Sequence, residues 1–247
     1  MVVLDDLSCH YQAYESITGQ LQVAKPALVQ THAEIVNHFT VLPQSMGGGS
    51  STALALVDAK EVGDLEPYVE ELTTFLDSAL YIDSKLSAKG MFPGISLNSI
   101  VKSPPSPYQM PMVRGFYSRI LSILRQSHRL TQRAEIASEL GIDLVEESDR
   151  DLVDDLEFPQ KFEALINQST TTSLETTLIA LYFAAKTLMI GWNLKEIKRY
   201  DVLVNNFLEE ERPELLGNWP LDQEIPEFIF DDLDELSKKF ARQHLMS

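Results

Sequence analysis

Apolar and polar positions change rhythm part-way along the chain. Val2-Val3-Leu4 is a short β-branched run that stops at Asp5-Asp6, the pattern of a buried parallel strand. Apolar residues at Leu28, Ile35, Val36 and Phe39 predict a helix that begins near Pro26. Met46-Gly47-Gly48-Gly49-Ser50-Ser51 reads as a loop, Ala53 to Val57 as a strand, and Leu72 to Ile82, with partial alternation, as a further strand. Gly90 and Pro93 mark a turn. Four prolines between Ser103 and Pro111 exclude a helix interior and set a domain boundary there.

Beyond that boundary the period becomes helical. From Met112 to Leu130, Val113, Phe116, Tyr117, Ile120, Leu121 and Leu124 share one side while Arg114, Arg125 and Arg129 lie elsewhere. Thr131 to Leu140 reads as a short separate helix closed by Gly141. Pro159 suits the first turn of a helix carrying Phe162, Leu165 and Ile166. Thr172 and Glu175 form a capping box for a strongly apolar helix that runs to about Trp192 at the centre of a bundle, and Asn193 with Glu196 repeats the device. Pro213, Pro220 and Pro226 interrupt the chain before a last helix, Asp231 to Gln243. Its acids come early and Lys238, Lys239 and Arg242 late, as the helix dipole prefers. The layout is therefore α/β then all-α: a partial α/β domain over 1–110 and a helical domain over 111–247.

Charge narrows the functional classes more than composition does. Of 247 residues 44% are hydrophobic and 23% charged, ordinary for a globular chain, but 37 acidic against 20 basic residues give a net charge of −17. Such a chain lacks the basic footprint of a nucleic-acid binder and is not suited to direct docking on an anionic membrane. The longest apolar run, Leu178 to Ala185, stops at Lys186 and is far short of the ~20 residues a spanning helix needs, so no direct membrane insertion is expected. One cysteine, Cys9, excludes an intrachain disulfide and reads as a buried structural thiol. His10, His32, His38, His128 and His244 have no zinc-site spacing, and the acids of 149–157 lack the glycine and spacing of a calcium loop, so no metal site is predicted. The opening residues resemble neither a signal nor a transit peptide; a chain that opens on a buried strand reads as truncated, or as half of something larger.

Several segments carry a family resemblance. Val2-Val3-Leu4-Asp5-Asp6-Leu7-Ser8 resembles the Walker B strand of the α subunit of F-type rotary ATP synthases, with Tyr14 where that family has a tyrosine shortly after. Gly47-Gly48-Gly49-Ser50-Ser51-Thr52-Ala53-Leu54 is similar to a Gly-Gly-Gly-Ser-Leu-Thr-Ala-Leu segment that separates α from the catalytic β subunit. Asp77, Leu86, Lys89-Gly90, Pro93 and Ile95 follow the spacing of a later α segment. Leu174-Glu175 to Ala184, with Gln168 upstream, resembles the family's helical domain. The resemblance implies an incomplete RecA-like nucleotide-binding domain followed by a C-terminal helical bundle, with Asp5, Asp6 and Gln168 as nucleotide-binding candidates. Asp5 would hold magnesium through water, against the plainer reading of an aspartate capping a turn. Gln168 would face adenine, against the plainer reading of a surface glutamine at a helix end.

The chain also departs from the family. A phosphate-binding loop needs a lysine and a Ser/Thr after its glycines, and Gly47-Gly48-Gly49-Ser50-Ser51 has no lysine. The Arg-rich segment expected after Tyr14 is shortened. The arginine finger expected near residues 99–103 is absent, leaving Lys102 as its possible replacement, without the planar fork of a guanidinium. The resemblance thus implies a non-catalytic structural component of the catalytic head, the carboxy-terminal fragment of subunit α, with no complete active site of its own. Its expected partners are the β subunit, the central stalk subunit and a separate amino-terminal α chain, needed because strand one has no partners within the chain. ATP or ADP with Mg is expected only if another chain supplies the phosphate-binding loop. The expected location is peripheral to an energy-transducing membrane, on the matrix side of the mitochondrial inner membrane. The alternative is a degenerate α-like paralogue acting as a protein-interaction scaffold without nucleotide; an independent small NTPase is disfavoured by the missing loop.

Overall fold

The computed structural model describes residues 1–21, 32, 34, 41–58, 69, 72–102, 109–139, 150–167, 173–217, 219 and 223–245. It divides into two compact units, Met1–Ala79 and Leu80–Ser247, a division that falls ahead of the proline-rich stretch.

In the first unit, β1 (Val2–Leu4) pairs in parallel with β2 (Ala53–Ala55), Val2 opposite Ala53, Val3 opposite Leu54 and Leu4 opposite Ala55. Strand one therefore has a partner within the chain, contrary to expectation: the polar stretch ahead of β2 returns the chain alongside β1. The chain then enters α1 (Leu7–Leu21). Leu7 and Leu72 are buried together, with Leu4, Tyr11, Ala55, Val57, Val69 and Leu76 packed around them. Val2 and Val3 are exposed rather than buried as the strand pattern predicts. Residues 41–50 form a tight reversal: Val41 pairs with Ser50, the Leu42 amide donates to the Gly49 carbonyl at 2.8 Å, and Gly47, Gly48 and Gly49 all take positive φ, a conformation open to glycine at little cost. Of the predicted helix 28–39 only His32 and Glu34 are among the described residues.

The predicted strand Leu72 to Ile82 is not formed. Leu72 and Thr73 end a helical turn, and Ile82 makes a single antiparallel bridge with Ile95. Val69, Leu72 and Leu76 all enter the Leu7 cluster, and that three-and-four spacing is the helical one that partial alternation conceals.

The second unit begins with α2 (Ser84–Ala88), capped by Asp83, whose Oδ1 accepts from the Lys85 amide at 2.8 Å, and α3 (Leu97–Lys102). Both belong here because the end of α5 (Arg150–Ile166) grips the segment between them. Asn167 Oδ1 accepts from the Ile95 amide at 2.7 Å, its Nδ2 donates to the Ile95 carbonyl at 3.0 Å, and Glu163 Oε1 accepts from the Leu97 amide at 2.8 Å. Around these lie α4 (Pro111–Glu139), α6 (Leu174–Thr187), α7 (Tyr200–Glu211) and α8 (Glu227–Leu245).

Four predicted boundaries move. α4 runs unbroken through Thr131, because the Thr131 hydroxyl donates back to the Ser127 carbonyl at 3.2 Å instead of starting a new helix. Pro159 lies inside α5, not in its first turn; buried Phe158, Phe162 and Leu165 along one face offset the roughly 3 kcal/mol an interior proline costs. Ser173 is the N-cap of α6, its Oγ accepting from the Thr176 amide at 3.2 Å, while Thr172 lies outside the described residues. α6 stops before Trp192, because Leu188, Met189 and Gly191 turn left-handed. The Asn193–Glu196 box does form: Asn193 Oδ1 accepts from the Glu196 amide at 3.0 Å, and Glu196 Oε2 accepts from the Asn193 amide at 3.3 Å.

α6 is the central helix, as its apolar character predicts. Ile179, Phe183 and Ala184 are fully buried along it. One aromatic group joins Phe116, Tyr182 and Phe230, with ring centroids 5.2 to 5.7 Å apart; another joins Trp192, Tyr200, Phe207 and Phe240. Aromatic burial of this kind dominates the stability of a small helical core.

Candidate functional site

The sequence-predicted acids sit where β1 turns into α1. Asp6 spends its carboxylate on that turn: Oδ1 accepts from the Ser8 amide at 2.6 Å, and Oδ2 lies 3.9 Å from the Cys9 sulfur. Donation from Ser8 holds the Asp6 carboxyl below its ordinary range. Ser8 is fully buried, and its hydroxyl accepts from the Asp58 amide at 2.7 Å, pinning the segment after β2 to the start of α1. Asp6 thus fills the capping role in the plainer reading of this turn. Asp5 is exposed beside it. Cys9 is also exposed, contrary to expectation: Leu7 and Ser8 face inward at the first turn of α1, and the next position faces solvent.

These acids are not joined by the other candidates within one described site. Lys102 is the last residue of α3, in the second unit. Gln168 lies outside the described residues. Gly47 to Gly49 form an open turn in which a Cβ on any of the three would meet nothing within 4 Å, so no close backbone approach requires them there. A magnesium nucleotide needs a carboxylate at a strand end, a backbone cradle and a lysine for its phosphates. Asp5 fits the first requirement.

Sequence reasoning missed two arrangements. His10 Nδ1 lies 2.8 Å from His32 Nε2, and burial with the neighbouring imidazole lowers the His32 pKa. No motif spacing could have paired them. In the second unit, Asp234 accepts from the Tyr182 hydroxyl at 2.6 Å and from Lys186 Nζ at 2.8 Å. Tyr182 and Lys186 stand one turn apart on α6, a spacing legible in the sequence, but their common acceptor on α8 is not. A cavity of about 590 Å³ beside α5 is lined by Lys161, Gln160, Trp192 and Lys195 among others. Lys161 is buried there against Glu157 one turn away, at 3.0 Å. Among the described residues, no group of three or more side chains is placed to hold a metal, and no helix is long and apolar enough to cross a membrane.

No family model matches the chain. Among curated proteins it is 22% identical to the ATP synthase subunit alpha of Aquifex aeolicus over 98% of its own length and 49% of that protein's. It is 23% identical to the ATP synthase subunit alpha of Acetivibrio thermocellus over 99% of its own length and 48% of that protein's. The chain is similar to ATP synthase α subunits along its whole length. Identity rises to 30% over a shorter stretch, 62% of this chain, against the ATP synthase subunit alpha 2 of Syntrophus aciditrophicus. The chain spans about half the length of the curated α subunits it matches end to end, as expected of a carboxy-terminal α-like portion. These three relatives are bacterial, so they lend nothing to the expected mitochondrial location.

Proposed function

We propose that this chain is a non-catalytic structural component of the catalytic head of a rotary ATP synthase, supplying the carboxy-terminal part of an α-type subunit. The observation that carries the reading is the pairing of coverage: 98–99% of this chain aligns, but only 48–49% of the α subunits. Supporting it, β1 pairs in parallel with β2 and runs into the Asp5-Asp6 turn, an arrangement suited to one corner of a RecA-like nucleotide domain, and the second unit is a helical bundle. The phosphate-binding loop and the α/β layers it belongs to would come from an amino-terminal α portion, and only with it would ATP or ADP with Mg be held. The helical unit would face the central stalk, with β subunits on either side, and the assembly would sit peripherally on an energy-transducing membrane.

A second reading has its own support. The Arg-rich segment is shortened and Lys102 is the only cation in residues 99–103, which favours an α-like scaffold that binds proteins without nucleotide. Native purification of the chain from its source, with mass spectrometry of what accompanies it, separates the two. Recovery of β, a stalk subunit and a polypeptide with a Gly-rich Lys-Ser/Thr loop supports the first. A preparation in which full-length α and β assemble without this chain refutes it.

A further inference from the structure

The turn that follows α6 meets the side of α5 around the cavity of about 590 Å³. That volume lies within the roughly 300–1,000 Å³ of small-molecule sites. Glu157, Gln160 and Lys161 line it from α5, and Trp192, Leu194 and Lys195 from the turn.

Lys161 is the costly residue of this wall. A buried ammonium needs both a counter-charge and acceptors for its hydrogens. The Lys161 side chain is only 8% exposed, yet among the described residues its one ion-pair partner is Glu157 Oε2 at 3.0 Å, on a side chain that is 58% exposed. An ammonium carries three donors, so one carboxylate oxygen leaves donors over at the edge of a cavity. Lys195, on the same wall, is exposed, and its side chain has no ion-pair partner among the described residues. Lys198 and Arg199 follow at exposed positions, also without an ion pair among the described residues. The acid between them, Glu196, has its carboxylate committed to the Asn193 amide at 3.3 Å. A chain of net charge −17 thus gathers cations beside a cavity, which draws an anion to that place.

The rest of the wall is apolar. Trp192 is 4% exposed and is held in position by Tyr200, Phe240 and His244, the last stacked with ring centroids 3.6 Å apart. Leu194 is 48% exposed beside it. A bare inorganic anion would leave these two surfaces wet, whereas an anion carried on an apolar body covers them and still reaches the lysines.

We propose that this cavity binds a small organic anion, a carboxylate or phosphate ester on an apolar body. Lys161 and Lys195 hold the anionic end, and Trp192 with Leu194 holds the apolar one. The site uses residues of the second unit alone and does not depend on the function proposed above.

Trp219→Phe leaves Trp192 as the one indole of the chain, so its emission reads the cavity wall. The full chain carrying that change is titrated with phenylacetate and with phenyl phosphate, which present the two kinds of anion on a similar ring. Benzyl alcohol supplies the ring without the charge, and inorganic phosphate the charge without the ring. The expected result is a saturable change in Trp192 emission with at least one of the two organic anions, and binding at least roughly tenfold weaker for both controls, as the loss of a charge-assisted contact or of a buried ring implies. The tighter of the two organic anions identifies the head group. Lys161→Met keeps the apolar stem and should weaken binding roughly tenfold. Lys195→Ala, at an exposed position, should weaken it roughly threefold and keeps the test open if Lys161→Met fails to fold. No saturable change with either organic anion overturns the inference. So does benzyl alcohol or inorganic phosphate binding as tightly as they do, or an affinity left unchanged by the lysine substitutions.

Discussion

Replacing Phe116 by alanine removes a ring that is fully buried where three helices and a connecting segment meet. Its centroid lies 5.7 Å from Tyr182 on α6, 5.2 Å from Phe230 on α8 and 5.9 Å from Trp219, the last nearly parallel. Deleting a buried phenylalanine costs about 3–5 kcal/mol. Each well-placed ring pair adds roughly 0.5–1.5 kcal/mol beyond area, so about 4 kcal/mol or more is expected here. Against a domain stability of about 5–15 kcal/mol, that is a large fraction. With a urea dependence of about 2 kcal/mol per molar, the unfolding midpoint should fall by roughly 2 M. The assay is tryptophan fluorescence in urea. Both tryptophans of the chain, Trp192 and Trp219, lie in the helical unit, so the signal reports that unit alone. Phe228→Ala, at an exposed position on the same helix as Phe230, should change stability by about 0.5 kcal/mol or less. A Phe116→Ala loss under about 1 kcal/mol, or one matching Phe228→Ala, would refute the assignment of Phe116 as a core anchor.

Three further outcomes follow from the same unit. Burial tends to raise the Asp234 pKa, but donation from Lys186 and Tyr182 outweighs it and the net shift is downward; this contribution is therefore full above the ordinary carboxylate pKa, is lost as pH falls through the lower folded value, and Asp234→Asn should flatten the acid limb of a urea-midpoint profile taken from pH 7 to pH 2. Asn167→Leu strips the Ile95 amide and carbonyl of their partners and should cost about 2–3 kcal/mol in the same denaturation, whereas a loss near zero would show that water replaces the side chain. Ser173→Ala should cost about 1 kcal/mol and Ser173→Asp should restore most of it, as expected if the side chain serves only to cap α6.

What was legible in the sequence depended on how local the cause was. The strands at Val2 and Ala53, the capping box at Asn193 and the apolar centre of α6 are fixed by neighbours in sequence, and the pattern located them. Errors arose where tertiary packing overrode a local signal. Pro159 looks like a helix start until Phe158 and Phe162 are seen to bury together. Thr131 looks like the start of a separate helix until its hydroxyl turns back to Ser127. Leu72 to Ile82 looks like alternation until the spacing of Val69, Leu72 and Leu76 is matched to one cluster. The candidate site was legible only in part for the same reason. Asp5 and Asp6 stand out as a strand-end pair, but the division of labour between them comes from buried Ser8 and its bond to Asp58, fifty residues away. The acceptor shared by Tyr182 and Lys186 had no signature at all, since α6 and α8 meet only in the fold.

The corner after α6 constrains which substitutions the protein can accept. Leu188 and Met189 hold φ near +50°, a conformation costing an ordinary side chain roughly 1–2 kcal/mol, yet Met189 is fully buried. At 188, which is only half-buried, glycine would relieve the backbone at modest loss. At 189 the same exchange would empty the core it relieves. Two adjacent residues with nearly identical backbones should therefore diverge in opposite directions under selection: the first drifting toward glycine or asparagine, the second locked to a large flexible side chain that tolerates an unfavourable backbone.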